Sequence, residues 1–320
     1  MPEIWPNFFV VGAAKAGTTS IYAYLSQHPQ VFFPAIKEPH YFAQVRPARE
    51  LRYSAEAITD RGAYLRLFRH ARGYKVIGDA SPSYLWHPEV AYRIKRTVPH
   101  ARILILLRDP IDRAFSHYLM DYREGVQDEP FYAALRRDMS RALKGWGVSY
   151  LYYELGLYSA QIYRYLDAFG PDRVHIMVFE EFRRNVRGAL KELAAFLDID
   201  PEPMDWIDIN KAHNAYAVVR SERLRKIAGS DLARALGKVL VPRRMGKYIY
   251  EHFFLRPGHK PAMDPRAHDL LQSLYADEVA QVEKVLGRNV PELRMSWHSR
   301  EDGNIGDRPR HFEDLTSAPG

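Results

Sequence analysis

The stretch Phe8-Phe-Val-Val-Gly12-Ala-Ala-Lys15-Ala-Gly17-Thr18-Thr19 decides how this chain is read. It opens as an apolar run of buried-strand length, passes through a turn that holds two glycines, and continues into a helical pattern containing Ile21 and Leu25. A turn from a strand into a helix leaves the first N–H groups of the helix without intrahelical partners, and those donors together with the helix dipole hold phosphate. The spacing Gly12-x4-Gly17 equals that of a nucleoside-triphosphate P-loop. Thr18 nevertheless stands where the P-loop has its lysine, and the lysine sits inside the turn at Lys15. A loop with its cation moved in this way is shaped for a different anion.

Outward from this stretch, Tyr74–Gly78, Arg102–Leu107 and Val174–Phe179 are further near-continuous hydrophobic runs. Helical apolar spacing occupies Thr18–Gln27, Pro110–Glu124, Leu157–Phe169, Val186–Leu197 and Pro265–Leu286, the last with Leu270, Leu271, Leu274, Val279, Val282 and Leu286 on one stripe. Strands alternating with helices predict an α/β chain, a P-loop-like three-layer fold with a central parallel sheet flanked by helices. The 320 residues fit two domains or one large one, and the pattern favours a single domain over 1–298. The final 22 residues, from Ser299, carry few apolar positions and read as a flexible tail.

With 47% hydrophobic and 27% charged residues, the composition excludes a disordered, collagenous or coiled-coil protein. There is no cysteine, which removes disulfides, thiolate metal sites and cysteine nucleophiles. No apolar run is long enough to span a bilayer, and Met1-Pro-Glu-Ile-Trp-Pro has neither a basic region nor a cleavage site, so a soluble cytoplasmic protein is expected. The net charge of +7 is concentrated: residues 211–260 hold 12 Lys and Arg against Glu222, Asp231 and Glu251, a local +9. Within that segment, cations adjoin the apolar and aromatic stretch Val239–Leu255. This mixture suits a basic lid over an anionic ligand, beside the acceptor entrance, or a peripheral contact with an anionic membrane.

A second candidate anion site lies in Arg102-Ile-Leu-Ile-Leu-Leu-Arg108-Asp-Pro-Ile-Asp-Arg113-Ala-Phe-Ser116. Arg108 falls at the carboxyl end of a strand, where open α/β sheets bind ligands, and Ser116 follows in the helix that Pro110 begins. A guanidinium and a hydroxyl converging there hold phosphate through charge-assisted bonds.

Together the two loops resemble the phosphosulfate and 3′-phosphate motifs of sulfotransferases that use 3′-phosphoadenosine 5′-phosphosulfate (PAPS). Lys37-Glu38-Pro39-His40-Tyr41-Phe42 is similar to the Lys-Glu-x-His-Phe-Phe segment of the heparan-sulfate-type enzymes, and Ser81-Pro82-Ser83-Tyr84 to their Ser-Pro-x-Tyr segment. Gly156-Leu-Tyr158 and Phe179-Glu180 match later parts of that family, so the resemblance covers about residues 7–200. It implies transfer of a sulfuryl group from PAPS to a hydroxyl or amine, leaving adenosine 3′,5′-bisphosphate, with no metal. Lys15, Ala16, Gly17, Thr18 and Thr19 would hold the 5′-phosphosulfate and Arg108 with Ser116 the 3′-phosphate. Tyr158 and the late segment Arg256-Pro-Gly258-His259-Lys260 would complete the donor site. Tyr84, Trp86 and Tyr158 are the aromatic rings placed to stack on adenine or a sugar.

Glu38 matches the family's catalytic glutamate, and partial burial among Pro39, Tyr41 and Phe42 would raise its pKa toward neutrality. His40 is the rival base. In an extended segment the two side chains, two residues apart, face one cleft. Lys15 would stabilise charge developing on the bridging oxygen. The heparan enzymes often carry lysine where this chain has Ala80, and they are membrane-anchored with a C-terminal disulfide, so a soluble bacterial-type relative is implied. The acceptor stays open among a glycan, a lipid-linked sugar or glycolipid, and a natural product. Two other readings compete. A P-loop small-molecule kinase or NTPase needs a lysine at Thr18 and an acid after a hydrophobic strand, for which Asp109 is available. A nucleic-acid-binding protein would use the basic segment, which lacks a regular aromatic platform.

Overall fold

The computed structural model describes residues 3–44, 57–209, 217–219, 255–257 and 260–297. The expected lid therefore lies largely outside the described residues, as do Gly258, His259 and the tail from Ser299.

Five parallel strands form the central sheet: β1 (Phe8–Gly12), β2 (Val31–Phe32), β3 (Val76–Ala80), β4 (Arg102–Leu107) and β5 (Val174–Val178), in the order β2-β3-β1-β4-β5. Phe8 pairs with Gly78 on one side and Arg102 on the other. All five residues of β1 are buried, which is why its sequence runs apolar without alternation: helices cover both faces. Those covering elements include α1 (Thr18–Leu25), α2 (Arg61–Arg66), α3 (Val90–Thr97), α4 (Pro110–Arg123), α5 (Phe131–Met139), α6 (Tyr158–Phe169), α7 (Phe179–Arg184) and α8 (Val186–Leu197). Strands β6 (Ala217–Val219) and β7 (Leu255–Pro257) form a separate antiparallel pair, on which Arg256 is a position.

The last helix, α9 (Pro265–Leu286), is capped by the Asp264 carboxylate, which accepts from the Arg266 N–H, and closes at Gly287 with φ 66°. Its buried face is Ala267, His268, Leu271, Tyr275, Val279 and Val282, so the expected leucine stripe is rotated toward Tyr275. That tyrosine enters the core because its hydroxyl donates to the Tyr153 carbonyl at 2.7 Å.

The third strand starts two residues later than the apolar run suggests, at Val76. Tyr74 belongs to the turn, its N–H donating to the Ala71 carbonyl. The strand then continues through Asp79, a carboxylate with no exposure in a wholly buried strand. A buried charge must find partners, and those partners belong to the site.

Candidate active site

Strand order reverses about β1: the chain runs to β2 and β3 on one side and returns to β4 and β5 on the other. In such sheets the crevice at the carboxyl ends of the strands beside the reversal binds ligands. Here it holds a cavity of about 360 Å³, lined among others by Lys15, Gly17, Thr18, Glu38, Arg108 and Ser116. That is within the roughly 300–1,000 Å³ of small-molecule pockets.

The turn after β1 is tied to β4 by the Ala13 N–H, which donates to the Leu106 carbonyl at 2.7 Å. Gly17 caps α1 with φ 91°, and a Cβ there would meet the Phe179 ring at 2.6 Å. Glycine is thus required twice, by its backbone and by the ring beside it. Thr18 and Thr19 occupy the first turn of α1, where the N–H groups have no intrahelical acceptor. The Ala16 N–H instead donates to the Ala13 carbonyl, so of the expected loop donors this one is turned inward. Lys15 has a left-handed backbone, φ 68°, and its Nζ approaches the Met120 Sδ at 3.5 Å. Burial, followed by the charge of Arg123, lowers its pKa to about 8.

At the end of β4 the Arg108 Nη1 donates to the Lys15 carbonyl at 3.1 Å, linking directly the two segments expected to bind anions. Its guanidinium lies 5.1 Å from the centre of the Phe179 ring, with Glu180 and Asp112 each 3.7 Å away. Lys260 donates to Asp112 at 2.9 Å, which brings the described end of the late segment to the same corner. Ser116 lines the cavity one helical face along α4.

Across the cavity Glu38 is held with φ 61° and its carboxylate pairs with Lys37. Its side chain is partly buried, with 36% exposed, but not beneath the two rings expected to cover it. Tyr41 and Phe42 turn away into an aromatic cluster with Tyr64. The segment is not extended either, because His40 also has a left-handed φ of 53°. The two side chains still meet: His40 Nε2 is 3.8 Å from a Glu38 oxygen, and Nδ1 is 2.6 Å from the Ser83 hydroxyl. His40 is buried, which lowers its pKa to about 4 against the opposing pull of Glu38, so the ring is neutral at pH 7.

Beneath this segment lies Asp79. It accepts from Tyr64 at 2.7 Å, Ser81 at 2.7 Å and Tyr84 at 2.8 Å, and the Ser81 oxygen in turn accepts from the His40 N–H at 3.2 Å. Burial raises the Asp79 pKa to about 6, against the three hydroxyl donors that lower it.

A family model described as the sulfotransferase family matches residues 33–203, more than half of the chain. The chain belongs to the sulfotransferase family. It is similar to the crystal structure of a sulfotransferase from Alicyclobacillus acidocaldarius, with 30% identity, coverage of 91% of this chain and 99% of that one, and a TM-score of 0.68. Human carbohydrate sulfotransferase 15 is 24% identical over 253 residues, 61% of this chain and 44% of its own length. The bifunctional heparan sulfate N-deacetylase/N-sulfotransferase of Drosophila melanogaster is 26% identical over 310 residues, 88% of this chain and 26% of its own length. The chain therefore spans less than half the length of these two relatives. Among the described residues no helix is long and apolar enough to cross a membrane, and no cluster of three metal-ligating side chains occurs.

Two expected contacts of this sulfotransferase take another form. Tyr158 is fully buried and its hydroxyl donates to the Arg108 carbonyl at 2.9 Å, so it supports the arginine from behind rather than facing the cavity. Tyr84 is likewise buried, within the Asp79 network, with no face to offer a base or sugar. Sequence reading assigned no role to Asp79, Trp146, Phe179 or Glu180, although Trp146 and Phe179 line the cavity. For Asp79 a signal existed: an acid inside the apolar run Val76-Ile-Gly-Asp79-Ala80 has to be satisfied by something.

Proposed function

We propose that this sulfotransferase uses PAPS as donor and transfers its sulfuryl group to a hydroxyl or amine of a glycan, glycolipid or natural-product acceptor, with Glu38 as general base. The observation that carries the reading is the pairing of two anion sites in one cavity. Lys15 with Thr18 and Thr19 closes β1, Arg108 with Ser116 closes β4, and a hydrogen bond from Arg108 to the Lys15 carbonyl fixes their spacing. A donor with a phosphosulfate at one end and a separate phosphate at the other matches two such sites. The relatives named for carbohydrate and heparan sulfate support a glycan among the acceptors.

The donor supplies a sulfuryl group activated by its anhydride bond to phosphate. Lys15 neutralises charge on the oxygen that leaves with the phosphate as that bond breaks, an interaction strongest in the transition state. Glu38, the carboxylate on the far wall, takes the acceptor's proton as the new bond to sulfur forms. His40 orients Glu38: it is buried, neutral and bound to Ser83, and is a weaker base than its place in the sequence suggests. A kinase reading is disfavoured by Asp109. Its Oδ1 accepts from the Ile111 and Asp112 N–H groups, capping α4, and its Oδ2 accepts from the Ser296 N–H, so both oxygens already have backbone donors.

The test is selective retention on immobilised adenosine 3′,5′-bisphosphate over ATP, followed by two variants. Glu38→Gln is expected to lower kcat by about a thousandfold with donor affinity unchanged. Lys15→Ala is expected to lower kcat by about a hundredfold while weakening donor binding less. Equal losses of binding and turnover in both would refute these roles.

A further inference from the structure

We infer that Glu180 is a positioning residue for the Arg108 anion site, setting both the aim of the guanidinium and the strength with which the site holds the donor's 3′-phosphate. The inference rests on the proposed donor.

Strands β4 and β5 are neighbours, so their carboxyl ends bring Arg108 and the first turn of α7 side by side. Glu180 Oε1 lies 3.7 Å from Arg108 Nε, and both side chains are largely shielded, at 12% and 17% exposure. Neither Arg108 Nε nor Glu180 Oε2 makes a hydrogen bond among the described residues. The guanidinium is otherwise fixed by the Lys15 carbonyl at Nη1 and by the Phe179 face. Its Nε edge is thus turned to Glu180, while Nη2, 3.7 Å from Asp112, points toward α4, the helix that carries Ser116. Without Glu180 the guanidinium has no partner on its Nε side to prevent rotation about the end of its side chain.

A carboxylate in this place also opposes the phosphate that Arg108 is there to hold. The groups facing it are Arg108, Asp109 and Asp112 from the β4–α4 corner and the Tyr158 hydroxyl from α6, with Lys260 neutralising Asp112 from beyond; Arg183, on its own helix, lies over the Phe179 ring. Burial is the largest influence and raises the Glu180 pKa to about 7, with Arg108 pulling it down and Asp109 and Asp112 pushing it up. An anion bound to Arg108 favours the protonated form of Glu180. By linkage, Glu180 weakens 3′-phosphate binding as the pH rises through about 7.

Calorimetric titration of the full chain with adenosine 3′,5′-bisphosphate and with adenosine 5′-monophosphate, at pH 6.5 and 8.5, tests this. The affinity ratio of the two nucleotides isolates the 3′-phosphate, and comparison of wild type with Glu180→Gln cancels the ionisation of the ligands and of Lys15. The wild-type ratio is expected to fall between the two pH values by about tenfold more than that of Glu180→Gln. Glu180→Ala is expected to lower the ratio about tenfold at pH 6.5 and, without the titrating carboxylate, to show no more pH dependence than Glu180→Gln, with kcat at saturating donor within about twofold of wild type. Identical pH dependence in wild type and Glu180→Gln, or an unchanged ratio in Glu180→Ala at pH 6.5, would overturn the inference. A wild type with no preference for the bisphosphate would overturn the donor reading itself, and this inference with it.

Discussion

Around Lys15 and Arg108 the cavity is held mainly by backbone: a turn tied to β4 through Ala13, an arginine bonded to the Lys15 carbonyl, and a helix start at Thr18. Around Glu38 and His40 it is held by side chains from distant segments, with Asp79 at the hub of Tyr64, Ser81 and Tyr84, and Ser83 bonded to His40. Both walls keep non-glycine residues in left-handed backbone, Lys15 on one and Glu38 and His40 on the other, a conformation that costs roughly 1–3 kcal/mol for each residue and persists only where surroundings enforce it. The difference teaches where each wall is vulnerable. On the proposed reading, the anion wall at Lys15 and Arg108 fails when its backbone is moved, and the base wall at Glu38 and His40 fails when its buried charge is changed.

Gly17→Ala is the strongest test of the anion wall. The new methyl group would meet Phe179 at 2.6 Å on a backbone at φ 91°, so the ring and the Arg108 stacked on it must shift. Stability should fall by about 1–3 kcal/mol, and donor affinity by about a hundredfold, since displacements of the order of an ångström are enough for losses of that size. Retained donor affinity would show that the wall tolerates movement, and the comparison would break.

Asp79→Asn tests the base wall. The folded pKa of Asp79 is raised from 3.8 to about 6, so the native state favours the protonated form. Its contribution is fully present below about pH 4 and is lost as the pH rises through about 6, a difference of about 3 kcal/mol at 1.36 kcal/mol per unit. Urea unfolding at pH 4 and pH 7 should therefore show a steeper loss of stability in the wild type than in Asp79→Asn. The same variant is expected to lower kcat about tenfold through Ser81 and His40, with donor affinity unchanged. Parallel pH profiles of the two proteins would remove Asp79 as the hub.

The same contrast explains what could be read in the sequence. The anion wall was legible because its parts are contiguous: strand, turn, cation and helix start follow one another from Phe8 to Thr19 and again from Arg102 to Ser116. Three of the five strands and most of the named helices lie where hydrophobic spacing placed them, whereas β2, of two residues, is too short to carry a periodicity. Helices α3 and α5 are short and rich in arginine, and only tertiary packing reveals their buried faces. On the base wall the segment was recognisable but its conformation was not. Left-handed φ at Glu38 and His40 follows from contacts with residues more than 40 positions away, which spacing cannot show. The neighbours of Glu38, though not its partial burial, were misjudged for the same reason, since Tyr41 and Phe42 had better partners in Tyr64 and Tyr84.

The smallest expected effect separates a residue that touches the donor from one that acts through the backbone. The Tyr158 hydroxyl donates to the Arg108 carbonyl at 2.9 Å, and the ring has no exposed face. Tyr158→Phe keeps the ring and removes one hydrogen bond, so it should cost about 1 kcal/mol of stability. The Arg108 carbonyl would then be held less firmly, and KM for the donor should rise by about two- to threefold at unchanged kcat. Tyr158→Leu removes the ring as well. If the ring stacked on the donor, this second variant would lose about 1–3 kcal/mol of donor binding beyond the first, as base-stacking aromatic residues do. With the ring packed behind the strand end, the additional loss should instead appear in the urea midpoint as a cavity effect, with donor KM close to that of Tyr158→Phe. A large KM change in Tyr158→Leu with stability intact would move Tyr158 from the support of Arg108 to the surface of the cavity.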